Sequence, residues 1–153
     1  MNKIIKVVRA ESMDDWEAFE KILRILLEEI YGSADRGMEI YEEKYGAITY
    51  YRNYRARKNS YLLLAELEGE LIGFLYGRKF RNYSYIYDIA VLPEHRGKGV
   101  GRKLVEEFLS LVRPPIYADV QENAVGFFKK LNFRILRSYE EDGVLWYEML
   151  REK

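Results

Sequence analysis

Apolar residues recur along this chain in two rhythms, and the switches between them mark out its elements. Ile4-Ile5-Lys6-Val7-Val8-Arg9 reads as a first strand. From Trp16 the rhythm becomes helical: Trp16, Phe19, Ile22, Leu23, Leu26, Leu27 and Ile30 fall on one face. Ser12 is placed to cap this helix, Asp14 and Asp15 favour its first turn, and Gly32 suits its end. The stretch from Gly37 to Lys58 is polar and rich in tyrosine, and predicts a second helix or a helix pair.

Three strands follow, over 60–67, 71–80 and 83–91, with Glu68-Gly69-Glu70 as the tight turn between the first two. A helix beginning at Gly99 places Val100, Leu104, Val105, Phe108, Leu111 and Val112 together, and Pro114-Pro115 stops it. A fifth strand over 116–120, a short helix over 124–131 and two final strands over 133–139 and 144–150 complete the chain. Asp142-Gly143 is the turn between the last two. No break in composition divides the chain, so one domain over 1–153 is expected, burying roughly 70% of its unfolded surface. The fold class is α/β, a mixed and mostly antiparallel sheet with helices on both faces.

Composition removes several kinds of chemistry. The chain has no cysteine and one histidine, His95, which excludes disulfides, a cysteine nucleophile and a thiolate or multi-histidine metal site; no metal is expected. Lysine plus arginine equals aspartate plus glutamate at 25 each, which argues against a nucleic-acid partner that would use the basic run 96–103. No apolar run reaches the ~20 residues of a membrane span and nothing at the start resembles a signal peptide, so a cytoplasmic protein without a membrane partner is expected.

The chemistry concentrates where the strand Tyr85-Ile86-Tyr87-Asp88-Ile89-Ala90 runs through Val91-Leu92-Pro93-Glu94-His95-Arg96-Gly97-Lys98-Gly99-Val100-Gly101 into a helix. The first N–H groups of a helix lack intrahelical partners, and its dipole favours an anion there. Glycines let a phosphate approach the backbone, and Arg96 and Lys98 add positive charge. The spacing is not that of a dinucleotide fingerprint, because Arg102 stands at the third glycine position. Nor is it a Walker A loop, because Gly101 is followed by Arg102-Lys103.

Arg96-x-x-Gly99-x-Gly101, with Val91-Leu92-Pro93-Glu94 ahead of it, resembles the acetyl-coenzyme A signature of the GNAT superfamily of N-acetyltransferases. The order of elements is similar to that family's over nearly the whole chain. The resemblance implies that the loop (Arg96, Gly97, Lys98, Gly99, Val100, Gly101) holds the pyrophosphate of acetyl-coenzyme A. It also implies that the strand residues Ile89, Ala90 and Val91 meet the pantetheine arm and that backbone N–H groups near Val91 face the thioester oxygen. A second stretch, Gln121 to Phe133, is similar to another motif of the family and would bring Asn123 and Phe128 to the cofactor. It departs from that motif in three places. Gln121 stands for asparagine, Asn132 for glycine, and Phe128 for a tyrosine that often protonates the departing thiolate.

Acetyl transfer to an amine needs a group to take the proton of the ammonium form. Asp88 interrupts an apolar strand three residues before Val91, and alternation groups it with Ile86 and Ala90. Proton acceptor, anchor for the substrate ammonium and structural acid are all open to it. Tyr87, Tyr117 or a water could donate in place of the residue at 128, and His95 is expected to face solvent. The expected activity is transfer from acetyl-coenzyme A to an amine, with a small amine, a polyamine, an amino acid, an antibiotic, a protein N-terminus and a lysine all open as acceptors. The alternative, raised by Phe128, is an acyl-coenzyme A-binding module without catalysis. The tyrosines of 41–61 could line the acceptor cleft, and the last strands offer an edge where a second copy could pair as a homodimer.

Overall fold

The computed structural model describes residues 3–153, which form a seven-stranded mixed sheet in the order β1-β2-β3-β4-β5-β7-β6. The strands are β1 (Ile5–Arg9), β2 (Ser60–Leu67), β3 (Glu70–Lys79), β4 (Ser84–Val91), β5 (Ile116–Val120), β6 (Arg134–Glu141) and β7 (Val144–Arg151). Helices α1 (Trp16–Tyr31), α2 (Ala34–Tyr45) and α3 (Ala47–Arg52) cover one face, and α4 (Val100–Leu111) and the short α5 (Val125–Lys130) lie on the other. All strand pairs are antiparallel except β4 with β5. No helix among the described residues is long and apolar enough to cross a membrane.

Local chemistry explains most boundaries. Helix α1 starts later than its sequence suggests, because Asp15, not Ser12, accepts from the Ala18 N–H at 3.1 Å. The Ser12 hydroxyl donates instead to Asp14. Gly32 ends α1 with left-handed backbone, and Ser33 then caps α2 by accepting from the Arg36 N–H. The polar stretch 37–58 does hold a helix pair, though α2 begins three residues earlier, at Ala34, and α3 ends at Arg52. Phe19, Ile22, Leu23 and Leu27 of α1 are fully buried, each contributing roughly 1.5–3 kcal/mol. On the other face Leu104, Val105 and Phe108 of α4 do the same. The sheet's edges are β1 and β6; β6 leaves Ile135 and Leu136 exposed, and the expected pairing of copies through the last strands would fall there.

Close packing of α4 depends on β3 having no side chain at Gly77. A Cβ there would lie 2.7 Å from the Phe108 ring and 2.9 Å from the Tyr85 carbonyl oxygen. Gly77→Ala is therefore expected to destabilise the fold by about 1–3 kcal/mol, because a backbone oxygen and a buried ring must both shift. Denaturant unfolding would measure it, and an unchanged midpoint would contradict this packing.

Two irregularities of β4 shape the site. Tyr76 is opposite Asp88, but the next residue of β3, Gly77, is opposite Ile86, so Tyr87 is an extra, bulged residue. Tyr87 and Asp88 consequently share a face: the Tyr87 ring stacks on Tyr76 at 6.0 Å, while Asp88 bonds to α2 and α3. Ile86 turns the other way with Gly77, toward Phe108. The alternation expected from sequence is thus half wrong: Asp88 keeps company with Ala90 but not with Ile86.

The second irregularity is a split. Strands β4 and β5 pair at Ser84–Ile116, Tyr85–Tyr117 and Ile86–Ala118, and no farther among the described residues. Beyond that point β4 stays with β3 and β5 with β7, so a wedge opens in the middle of the sheet.

Candidate active site

A cleft of about 680 Å³ occupies this wedge and runs to the N-terminus of α4. Its size suits a large small-molecule ligand. Tyr87 to Val91 form one wall, Asp119 to Gln121 the other, and the glycine loop closes one end. Of the residues expected at a cofactor, Ile89, Ala90, Val91, Arg96, Gly97, Gly99, Val100, Gly101, Asn123 and Phe128 all line this cleft. Lys98 does not; it is exposed on the loop. His95, expected at solvent, is half-buried and lines the cleft too.

What the loop offers an anion is backbone more than side chain. Gly99 is the N-cap of α4 in left-handed conformation (φ 84°) and offers no capping side chain, and no acid lies in the first turn. The first-turn N–H groups are therefore free for a ligand. Arg96, expected to add positive charge, is otherwise engaged. Its Nε donates to the Val91 carbonyl at 3.0 Å and its Nη2 pairs with Glu29 of α1 at 2.5 Å. It ties the loop to the end of β4 and to α1, and Glu29 offsets its charge. Arg102 is paired with Glu106. Gly101 has a different reason from Gly99: a Cβ there would lie 3.2 Å from the Phe127 ring.

A second cleft of about 590 Å³ lies on the α1–α3 face. The two clefts share Tyr87, Asp88, Asp119 and Trp146, so they meet where β4 and β5 part. Asp88 stands at this junction. Its Oδ1 accepts from Tyr41 Oη at 2.7 Å and its Oδ2 from Tyr51 Oη at 2.5 Å. Burial raises the Asp88 pKa above the ordinary carboxylate value, although both tyrosine bonds oppose the rise and the nearby Asp119 adds to it. Burial, reinforced by Asp88, lifts the two tyrosines well above their usual pKa, so they remain donors at neutral pH.

Asp119 was not anticipated, although it interrupts the apolar run of β5 as Asp88 interrupts that of β4. Tyr85 Oη donates to Asp119 at 2.8 Å and to Glu148, its neighbour on β7, at 3.0 Å. Burial raises the Asp119 pKa, with Tyr85 and Tyr139 opposing. Of the tyrosines between 41 and 61, Tyr41, Tyr45, Tyr50 and Tyr51 line the second cleft. Tyr54 and Tyr61 are core residues. Phe128 is buried beside the first cleft, edge-on to Phe127 and Phe133 at 5.2 Å each.

These features agree with what the chain is similar to. The Acetyltransferase (GNAT) family model matches residues 17–133. An uncharacterised N-acetyltransferase of Archaeoglobus fulgidus is 30% identical over 113 residues, 67% of this chain and 70% of that protein. The peptidyl-lysine N-acetyltransferase YjaB of Salmonella typhimurium is 42% identical over 53 residues, 33% of this chain and 36% of its own length. The PaiA N-acetyltransferase of Thermoplasma acidophilum, solved with coenzyme A, shares the fold with a TM-score of 0.73 at 20% identity, covering 98% of this chain and 99% of that one. With its glycine loop, split sheet and paired clefts, this chain belongs to the GNAT family of acetyltransferases.

Proposed function

We propose that this chain transfers an acetyl group from acetyl-coenzyme A to an amine held in the tyrosine-lined cleft, with Asp88 taking the amine's proton. The observation that carries this reading is the meeting of the two clefts at Asp88, beside the unpaired edge of β4. The residues present fit the donor: free N–H groups at α4 for phosphate, a wedge for an extended arm, and a stretch of β4 beyond Ile86 with no strand partner on its β5 side. When bound, acetyl-coenzyme A supplies an activated thioester.

The chain's own residues then have separable tasks. Tyr41 and Tyr51 hold the Asp88 carboxylate at the junction by one hydrogen bond on each oxygen. A carboxylate with a raised pKa is a better proton acceptor than an ordinary one, and an amine must lose a proton before its lone pair can form the new C–N bond. Holding both reactants at one point supplies much of the rate. Amine-dependent release of free thiol from acetyl-coenzyme A tests the reading. Calorimetric binding of coenzyme A with no such release across monoamines, diamines and lysine peptides would favour the binding-module alternative.

Phe128 cannot protonate a thiolate, but a thiol pKa of about 8.5 makes the thiolate a fair leaving group unaided. Phe128→Tyr adds one donor to a ring that already lines the cleft. If departure of the thiolate limits the rate, turnover is expected to rise several-fold, and the gain should shrink above about pH 8.5. A rate unchanged at every pH would mean that another group or a water already donates.

A further inference from the structure

The geometry points to a doubly charged acceptor: the second cleft is built for an alkyl diamine, its reacting nitrogen at Asp88 and its far ammonium at Glu141. This rests on the transfer reading above and specifies its substrate. The lining carries three carboxylates, Asp88, Asp119 and Glu141, against one guanidinium, Arg78. Between them stand aromatic rings, among them Tyr31, Tyr45, Tyr50, Tyr139 and Trp146. Rings accept a methylene stem and attract a cation over their faces. A free carboxylate on the acceptor would face three of its own sign, which disfavours amino acids.

One helix positions the two ends. Tyr41 and Tyr45 are one turn apart on α2, with ring centroids 6.0 Å apart. Tyr41 Oη donates to Asp88 at 2.7 Å, and Tyr45 Oη donates to Glu141 of β6 at 2.7 Å. Consecutive rungs of α2 therefore pin a carboxylate at the sheet's split and another across the cleft. Lys44 bonds both Glu141 at 3.0 Å and Asp142 at 2.9 Å, so this end keeps one negative charge in excess. Glu141 remains reachable, its side chain 39% exposed.

The test compares 1,4-diaminobutane, butylamine and a lysine peptide with blocked ends, in turnover with acetyl-coenzyme A and in calorimetric binding to the coenzyme A complex. The diamine is expected to exceed butylamine in kcat/KM by about tenfold or more. Glu141→Gln should remove most of that preference by raising the diamine KM about tenfold more than the butylamine KM. Tyr45→Phe, which leaves the carboxylate charged and held by Lys44 alone, should reduce the preference by less. Equal kcat/KM for diamine and monoamine, a higher value for the peptide, or a preference untouched by Glu141→Gln would overturn the inference and leave acetyl transfer standing. Diamine binding weakened by Glu141→Gln without turnover of any amine would support the acceptor site and overturn the transfer reading.

Discussion

Gly99→Glu is expected to weaken acetyl-coenzyme A binding by about 10²-fold or more, measured by calorimetry. Two effects act together. The backbone at Gly99 has φ 84°, where an L-residue costs about 1–2 kcal/mol, and the new carboxylate enters the anion site at the N-terminus of α4. Gly99→Ala separates them, since nothing lies within 4 Å of a Cβ at that position. Alanine should lower stability by about 1–2 kcal/mol and affinity only a few-fold. Raising salt should restore part of the loss in the glutamate variant, because ionic screening shortens to about 3 Å at 1 M, and none in the alanine variant. An affinity unchanged by Gly99→Glu would move the phosphate site elsewhere.

Asp88→Asn is expected to lower turnover by about 10²–10⁴-fold with acetyl-coenzyme A affinity nearly intact. The wild-type rate should rise with pH through an acidic limb lying above the ordinary carboxylate range, because the Asp88 pKa is raised by burial, and the variant should lack that limb. Stability carries an independent sign. A carboxyl with a raised folded-state pKa binds more protons in the native than in the unfolded chain, so its contribution falls as pH rises from the ordinary value through the raised one. Asparagine removes that pH-dependent penalty but weakens the bonds from Tyr41 and Tyr51, so the net change in Tm at neutral pH should be small. A variant that unfolds at room temperature would make Asp88 a structural acid.

How much of this was legible in the sequence follows from the range of each interaction. Strands, helices and the glycine loop are written in local periodicity and turn residues, and they emerge within a few positions of expectation. The bulge at Tyr87 is not, because period-two alternation contains no sign of a skipped partner, and it moved Ile86 to the other face. Asp119 could have been found by the rule that found Asp88: an acid inside an apolar strand. Arg96 looks like a free charge in the sequence, because its partner Glu29 lies 67 residues away, in α1. The bond from Tyr45 to Glu141 spans 96 residues and has no local signature at all.

The split between β4 and β5 also bears on which strand edges another chain can reach. Unpaired strand backbone normally sits at the rim of a sheet, where it invites a neighbouring chain to add and aggregation to begin. Here the side of β4 that β5 leaves uncovered beyond Ile86 is an interior edge, shut at one end by the three pairs from Ser84 to Ile86 and at the other by the glycine loop. A foreign strand would need both ends open to lie alongside it. A flexible ligand needs only one point of entry, so the protein can keep this backbone hungry for partners without exposing it to other proteins.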